Sequence, residues 1–158
     1  MRTPKSPRRC GLSLLELLVV VSLLGIFSAT ALMRFGRDIF GDTGARSAAR
    51  VLSLSMLHAQ RAAIRTGNLH AVRLVSSDGK VSGWTVVEEL PDTTQRIVDG
   101  PFTVAENITV KADGNEMWFD FEGNGNTSFS ASIVGPNRAY SLTVEPLTQM
   151  IRTQEISK

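Results

Sequence analysis

A single acidic side chain, Glu16, lies in the apolar N-terminal segment and is flanked directly by four leucines. A carboxylate costs on the order of 2.5 to 3.5 kcal/mol at the centre of a bilayer, and less near the end of a spanning helix. Because a desolvated charge is tolerated when an opposite charge compensates it, we expect Glu16 to pair with a cation from elsewhere in the membrane plane. An α-amino group released by cleavage after Gly11 would supply that cation.

A second group of oxygen ligands, Asp120, Glu122 and Asn124, could chelate calcium. An EF-hand loop needs a glutamate at its twelfth position, where this sequence has Ala131. We therefore interpret residues 120–125 (DFEGNG) as a turn and expect Asp120 and Glu122 to share a solvent-facing strand edge. Weak calcium binding near Asp120 stays open.

The rest of the sequence offers no catalytic set. His58 and His70 lack metal-ligand spacing, and there is no G-x-S-x-G sequence and no glycine-rich phosphate loop. The one cysteine, Cys10, excludes an intrachain disulfide and follows no apolar run of the kind that a lipoprotein signal requires. We predict that the chain is not an enzyme and binds no cofactor or metal.

The element that must position Glu16 is an apolar helix, predicted over residues 12–33. Its 22 residues contain no other charge and would rise about 33 Å, enough to cross a hydrocarbon core of about 30 Å. Four basic residues precede it: Arg2, Lys5, Arg8 and Arg9. They predict a single pass with the N-terminus in the cytoplasm.

A cleaved secretory signal is the alternative, with residues 29–31 (ATA) as the cleavage site and Arg8-Arg9 as a twin-arginine feature. The apolar part of such a signal is usually about 7 to 15 residues long and has no need of an acid. Glu16 therefore favours the anchor.

The sequence GLSLLELLVVVSLLGI (residues 11–26) resembles the prepilin leader and cleavage motif of type IV pilins and type II secretion pseudopilins. The resemblance implies that residues 1–11 are a cleaved leader ending at Gly11, and that Leu12 becomes an N-methylated mature N-terminus. Glu16 is then the fifth mature residue. Leu12 and Ser13 stand where phenylalanine and threonine are usual, so the methylated residue departs mildly from the commonest pattern.

In a helical filament, Glu16 of an incoming subunit would pair with the Leu12 amine of its neighbour and would thereby set the register of assembly. Elsewhere the helix would associate by close packing, aided by the small residues Gly25, Ser28 and Ala29.

Residues 34–66 form a predicted stem. Three glycines, of which two lie in the sequence FGDTG (residues 40–44), each cost about 1 kcal/mol in a helix, so we expect a break at 40–44. Apolar residues then recur at three- and four-residue steps up to Gly67 and Asn68, which predicts an amphipathic helix that packs against a sheet. This stripe is Ala45, Ala48, Ala49, Leu52, Met56, Ala59 and Ala63. The arginines at 46, 50, 61 and 65 form a basic face of the same helix that could touch phosphates, lipid headgroups or neighbouring acidic domains. A solvated helix face is the favoured interpretation.

Residues 67–158 switch to a two-residue period with frequent turn signals. About seven short strands are predicted, with a hairpin at Asp78-Gly79, in a small antiparallel β-sandwich or curled sheet. The fold class is therefore α+β. The predicted core is Val72, Leu74, Val86, Ile97, Ile108, Val110, Trp118, either Phe119 or Phe121, Ile133, Leu142 and Val144.

The stem sequence, the stretch MWFDFEGNGN and the final strand pair are similar to the GspH/FimT group of minor pseudopilins and minor pilins. The usual G-x-[VI]-R ending is replaced by LTQMIR, which puts the last hairpin in doubt. The resemblance implies a pilin-like fold and a subunit anchored in the inner membrane with a periplasmic domain. It also implies other pilin or pseudopilin subunits, prepilin peptidase and membrane lipid as partners. The favoured function is a minor pseudopilin of type II secretion, and the alternative is a minor type IV pilin with a role in DNA uptake.

The charge layout bears on the DNA alternative. Residues 34–65 hold six arginines against two aspartates, whereas residues 66–158 hold seven basic and twelve acidic side chains. Phosphate contacts from Lys and Arg supply most nonspecific affinity for nucleic acid. The acidic sheet domain therefore disfavours nucleic acid as a partner.

Overall fold

The computed structural model describes residues 13–77, 79–145 and 147–156, with the side chains of residues 34–41 left out of that description. One long helix, α1 (Leu14–Thr66), is followed by eight strands. The chain divides into two compact units, Met1–Arg37 and Asp38–Lys158. The second unit contains the end of α1 and all of the strands, and is called the sheet domain below.

The strands of the sheet domain form two four-stranded antiparallel sheets, as the α+β prediction of a long helix followed by antiparallel strands requires. The strands are β1 (Leu69–Ser77), β2 (Lys80–Glu89), β3 (Gln95–Thr103), β4 (Thr109–Ala112), β5 (Glu116–Phe119), β6 (Phe129–Val134), β7 (Ala139–Val144) and β8 (Ile151–Ile156). The first sheet has the order β3-β2-β1-β5 and the second the order β4-β6-β7-β8. Eight strands are present rather than about seven, because the chain after residue 147 forms a complete strand paired with β7.

The predicted helix break at residues 40–44 is wrong, since α1 continues through them. The cost of a glycine in a helix is small enough for tertiary contacts to offset it. Gly44 shows one such contact, because a Cβ at this position would lie 3.1 Å from Cδ1 of Ile108. This glycine lets a side chain of the sheet domain approach the helix closely, and does not end the helix.

The apolar stripe predicted for the second half of α1 is confirmed as its core-facing side. All of its members are fully buried except Ala48, which is partly buried against the core. The helix ends at Thr66, as expected, where Gly67 has a φ of 77° and its N–H donates to the carbonyl of Ala63 over 2.9 Å. Glycine suits this left-handed position after a helix because it has no Cβ.

Most of the predicted sheet core is buried, and the two exceptions are Ile97 and Trp118. Ile97 lies in the edge strand β3 and is 62% exposed. It pairs with Val87, so its side chain is on the face of the first sheet that points away from α1. Trp118 is half-buried, since its neighbours Met117 and Phe119 take the core-facing positions. Of the two alternatives Phe119 and Phe121, the core takes Phe119, and Phe121 lies in the loop after β5.

Trp84 is the largest core residue that sequence reasoning missed. Its side chain is 2% exposed, its indole Nε1–H donates to Oγ of Ser55 over 3.0 Å, and its ring stacks on Phe102 with centroids 5.6 Å apart. Indole N–H groups usually have a partner when buried. Ser55 on α1 therefore lets the tryptophan anchor the first sheet to the helix.

Asp42 fastens α1 to the loop between β6 and β7. Its Oδ1 accepts from the backbone N–H groups of Asn137 and Arg138 over 2.9 and 3.0 Å, and its Oδ2 accepts from Nδ2 of Asn137 over 3.2 Å. The backbone N–H of Asn137 is the main reason that the pKa of Asp42 lies below its usual value. The second sheet is thus tied to the helix at a defined position.

A buried polar cluster ties the first sheet to the turn after α1. The Glu88 side chain, 3% exposed, accepts from Nδ2 of Asn68 at Oε1 and from Nε of Arg96 at Oε2, each over 2.7 Å. Nε2 of the buried His70 lies 3.9 Å from Oε1 of Glu88, and Nδ1 of His70 is 3.1 Å from the Asn68 carbonyl. The hydrogen bond from Asn68 lowers the pKa of Glu88 most, and Arg96 adds to the effect against the opposing effect of burial.

This cluster predicts a loss of stability in acid. A carboxyl with a depressed pKa in the folded state stabilises the fold fully above its unfolded pKa, about 4.3 for glutamate, and loses that contribution as the pH falls through the folded value. Glu88→Gln should lower the free energy of unfolding by about 1 to 3 kcal/mol at neutral pH, because it weakens two hydrogen bonds to a buried charge. It should also flatten the acid-dependent decline.

Chemical denaturation of the purified full chain in detergent, between pH 7 and about pH 3, measures both effects. Glu116→Gln is the matched control, since Glu116 pairs with Arg73 over 2.9 Å in the same sheet but is 40% exposed. That variant should stay within about 0.5 kcal/mol of the parent. Equal losses in the two variants would contradict a specific role for the Glu88 cluster.

Candidate functional site

The first half of α1 has an apolar, exposed surface. Over Leu14–Met33 its mean hydropathy is 2.2, and among the described residues this is the one helix long and apolar enough to cross a membrane. Twenty residues rise about 30 Å. None of this segment is buried inside the structure, and Leu14 and Met33 at its ends are each 81% exposed. An apolar surface of this extent requires lipid or other helices to cover it.

Glu16 lies in the first turn of α1, where the helix hydrogen bonding begins. The backbone N–H of Leu17 donates to the carbonyl of Ser13 over 3.1 Å, which places Ser13 at the start of the helix. An acidic side chain in the first turn interacts favourably with the helix dipole. The structure therefore places the carboxylate near one end of the apolar segment, where insertion costs less than at its centre.

Two hydroxyl groups of the apolar segment satisfy their hydrogen bonds within the helix. Oγ of Ser22 donates to the carbonyl of Leu18 over 2.8 Å, and Oγ1 of Thr30 is 2.9 Å from the carbonyl of Phe27. Such backbone contacts make a hydroxyl compatible with hydrocarbon. Glu16 differs from them, because its exposed carboxylate has no hydrogen bond or ion pair with any residue that the structure describes.

The small residues proposed for helix packing lie at three- and four-residue intervals, as Gly25, Ser28 and Ala29. All three are exposed, and a Cβ at Gly25 would meet no atom within 4 Å. Positions three and four apart lie on one side of a helix. This side of α1 has room for a second helix to approach closely, and its use in assembly remains a prediction.

The processing residues Gly11 and Leu12 lie outside the described residues. Cleavage after Gly11 and methylation of Leu12 therefore remain predictions. Ser13, the first described residue, directly follows them.

The candidate calcium ligands fall in the loop between β5 and β6 and not on a strand, because β5 ends at Phe119. The expectation of a shared strand face for Asp120 and Glu122 is thus wrong, whereas the turn interpretation is confirmed. Oδ1 of Asp120 accepts from the backbone N–H groups of Glu122 and Asn124 over 2.9 and 2.8 Å. No three His, Cys, Asp or Glu side chains of the described residues are grouped so as to hold a metal ion.

The two histidines have different partners and different burial. Nδ1 of His58 lies 3.5 Å from Oδ2 of Asp99 at the surface, whereas His70 is buried beside Glu88. The arginines at 46, 50, 61 and 65 are exposed on α1, as the solvated-face interpretation requires. None of them forms an ion pair within the described part of the chain.

Comparison with known proteins identifies the N-terminal segment. The family model of the prokaryotic N-terminal methylation motif matches residues 6–32. That range contains Gly11, Leu12 and Glu16. Among curated proteins the chain has no significant match.

Solved structures with a similar fold come from two filament systems. The minor pseudopilin EpsH from the type 2 secretion system of Vibrio cholerae is 17% identical, with a TM-score of 0.58 over 70% of this chain and 95% of that one. The type IV minor pilin FimU of Pseudomonas aeruginosa is 15% identical, with a TM-score of 0.59 over 72% of this chain and 90% of that one. A prepilin-type methylation motif thus precedes a pilin-like fold, and together they support the resemblance to GspH/FimT-type minor pseudopilins and minor pilins.

Proposed function

We propose that this chain is a minor pseudopilin of a type II secretion system, a non-enzymatic subunit that enters a short filament through α1. The observation that carries entry into a filament is Glu16, the one charge of the apolar segment, which has no partner among the described residues. The methylation motif supports it, because the motif implies a new α-amino group at Leu12. The likeness to EpsH supports the choice of a secretion system.

The pairing of Glu16 with the Leu12 amine of an adjoining subunit would make assembly selective. A desolvated carboxylate alone is costly, and its removal from water is offset only when the opposite charge is present with good geometry. A subunit docked out of register would leave both charges unpaired. The rest of the helix contact would then come from close packing around Gly25, Ser28 and Ala29.

The proposed topology follows from the charges at the start of the chain. Four basic residues, at positions 2, 5, 8 and 9, precede the apolar segment with no acid among them. Basic residues of this kind stay on the cytoplasmic side. The sheet domain would accordingly lie in the periplasm, with residues 1–11 as the leader removed by prepilin peptidase, residues 12–33 as the anchor and filament core, residues 34–66 as the stem and residues 67–158 as the β-domain.

The second candidate is a minor pilin of a type IV pilus, which the likeness to FimU favours. A role of such a pilin in DNA uptake has less support. The sheet strands and loops carry an excess of acidic side chains, and nonspecific DNA affinity depends on clustered Lys and Arg. A mobility shift of DNA by the purified chain, weakened by salt, would revive this role.

The mature N-terminus tests the proposal directly. We expect the intact mass of the chain extracted from membranes to lack residues 1–11 and to carry one added methyl group. A secretory signal would instead remove the chain through Ala31, and an unprocessed anchor would keep the whole mass. Either of these masses would overturn the proposed function.

Glu16 provides the second prediction. Glu16→Ala should be processed normally and should be depleted from filaments by about ten-fold or more, because the compensating charge is lost. The double variant Glu16→Leu with Leu17→Glu is a sharper control, since it keeps the composition and moves the charge by about 100° around the helix. Both variants are scored by immunoblot of the filament fraction against the membrane fraction. Normal incorporation of the displaced charge would exclude the register role.

A deletion strain separates secretion from pili. We expect loss of the gene to trap exported substrates in the periplasm while surface pili persist, and the intact gene to restore secretion. The opposite outcome, loss of pili with normal secretion, would move the assignment to the type IV pilus. Glu16→Ala should behave like the deletion in whichever system the chain serves.

A further inference from the structure

A groove of about 540 Å³ lies in the sheet domain between α1 and the strands β7 and β8 of the second sheet. It is distinct from the apolar segment and from Glu16. One wall is helical and the other is formed by β7 and β8. The side chains that line it include Arg46, Arg50 and Leu54 of α1 and Tyr140, Thr153 and Glu155 of the two strands.

The helical wall presents two positive charges that lack an ion pair with the described residues of the sheet domain. Arg46 and Arg50 are exposed, are one turn apart, and have no ion pair within the described part of the chain. Glu155, the acid of the groove, is already engaged with Nη1 of Arg138 over 3.5 Å. Like charges four residues apart disfavour a helix by a few tenths of a kcal/mol. An acidic partner would reverse this repulsion.

The groove is also apolar at one end. Leu54 is 54% exposed and lies one turn beyond Arg50 on the same helix face. Tyr140 lines the strand side but is only 6% exposed, so Leu54 supplies the main apolar surface. A ligand that fits this wall therefore carries carboxylates followed by an apolar side chain.

The strand that borders the groove can accept a further strand. β8 pairs with β7 and lies at the edge of the second sheet in the order β4-β6-β7-β8. An edge strand presents free N–H and C=O groups that an extended segment can pair with. Side chains at i and i+2 of an extended segment lie about 6.8 Å apart, close to the rise of about 6 Å between Arg46 and Arg50.

We infer that this groove binds an extended acidic segment of a neighbouring filament subunit, with two carboxylates on Arg46 and Arg50 and an apolar side chain on Leu54. The inference rests on the proposed filament function and adds to it a contact outside the apolar helix. It makes the sheet domain selective for certain neighbouring subunits, because the carboxylates of the bound segment must occur at the right spacing.

A protein segment fits the groove better than a nucleic acid does. The adjoining surface around Arg46 and Arg138 includes the carboxylate of Asp42, and the groove itself contains Glu155. A continuous phosphate backbone would run close to the carboxylates of Asp42 and Glu155 and would be repelled by them. Discrete carboxylates on alternate residues of a peptide avoid them and can still reach the two arginines.

The test uses the full chain in its host. In the variant Arg46→Glu with Arg50→Glu we expect normal processing and a decrease of about ten-fold or more in filament incorporation, because two charge-assisted contacts become repulsive. Arg61→Glu with Arg65→Glu is the matched control, with the same residue types, spacing, helix and charge change outside the groove. It should stay within about two-fold of the parent. Arg46→Lys with Arg50→Lys should keep most of the incorporation.

A photo-crosslinking amino acid at Leu54 identifies the occupant. We expect crosslinks to a segment of another filament subunit with acidic residues at i and i+2, and we expect their replacement by amides to abolish the crosslink. Equal defects in the two arginine double variants, crosslinks to nucleic acid, or crosslinks to a segment without acids would each overturn the inference and leave the filament function intact. Absence of the parent chain from filaments would overturn both.

Discussion

The sheet domain depends on the close approach of α1 to two sheets at once. Alanines at positions 45, 49, 59 and 63 are each no more than 1% exposed, and the larger Leu52 and Met56 fill the space between them. Small side chains let a helix axis come near a sheet, and a four-stranded sheet with one apolar face needs such a cover. Because both sheets use the same helix face, neither would keep a buried core without it. The helix is therefore the central element of the domain as well as the carrier of the apolar segment.

The carboxylates of the chain show a consistent division of roles. Asp42 and Glu88 are both satisfied by donors from distant segments, and the described residues that are not exposed contain no buried side-chain nitrogen or oxygen without a hydrogen-bond partner. The buried polar groups of the sheet domain have hydrogen-bond partners, whereas a charge in an apolar helix without a partner is costly. This contrast supports the intermolecular contact proposed for Glu16. The exposed hydroxyls of Ser22 and Thr30 differ from Glu16, because they bond to carbonyls of their own helix.

The sequence predicts the helix and the strands of this protein better than it predicts strand register and tertiary contacts. The apolar helix, the buried stripe of α1 and its end at Gly67 follow from periodicity and glycine chemistry, and the structure has all three. The break expected at residues 40–44 rests on helix propensity alone, and α1 is continuous there, with Gly44 next to Ile108. Ile97 and Trp118 were assigned to the core from their residue types, but the register of β2 with β3 and of β1 with β5 decides which face they occupy. Periodicity alone cannot supply that register, and it also cannot show that Glu88, Asn68 and Arg96 come together from three segments. Of the candidate site, Glu16 is visible in the sequence, whereas the groove beside β8 requires the order of the strands.

The fourth strand of the second sheet explains why a groove exists at all. The buried residues that α1 covers in this sheet come from β4, β6 and β7, as Val110, Ile133 and Leu142, while the side chains of β8 are exposed apart from a half-buried Ile151. Because β8 lies beyond the part of the sheet that α1 covers, a groove is left between the helix and this strand. An edge of this kind promotes unwanted pairing unless charges restrict it. In the binding mode proposed for the groove, Arg46 and Arg50 on the neighbouring helix oppose basic strands and attract acidic ones. An edge with this charge would discriminate between partner strands instead of excluding all of them. A subunit that contacts different neighbours within one filament needs such discrimination.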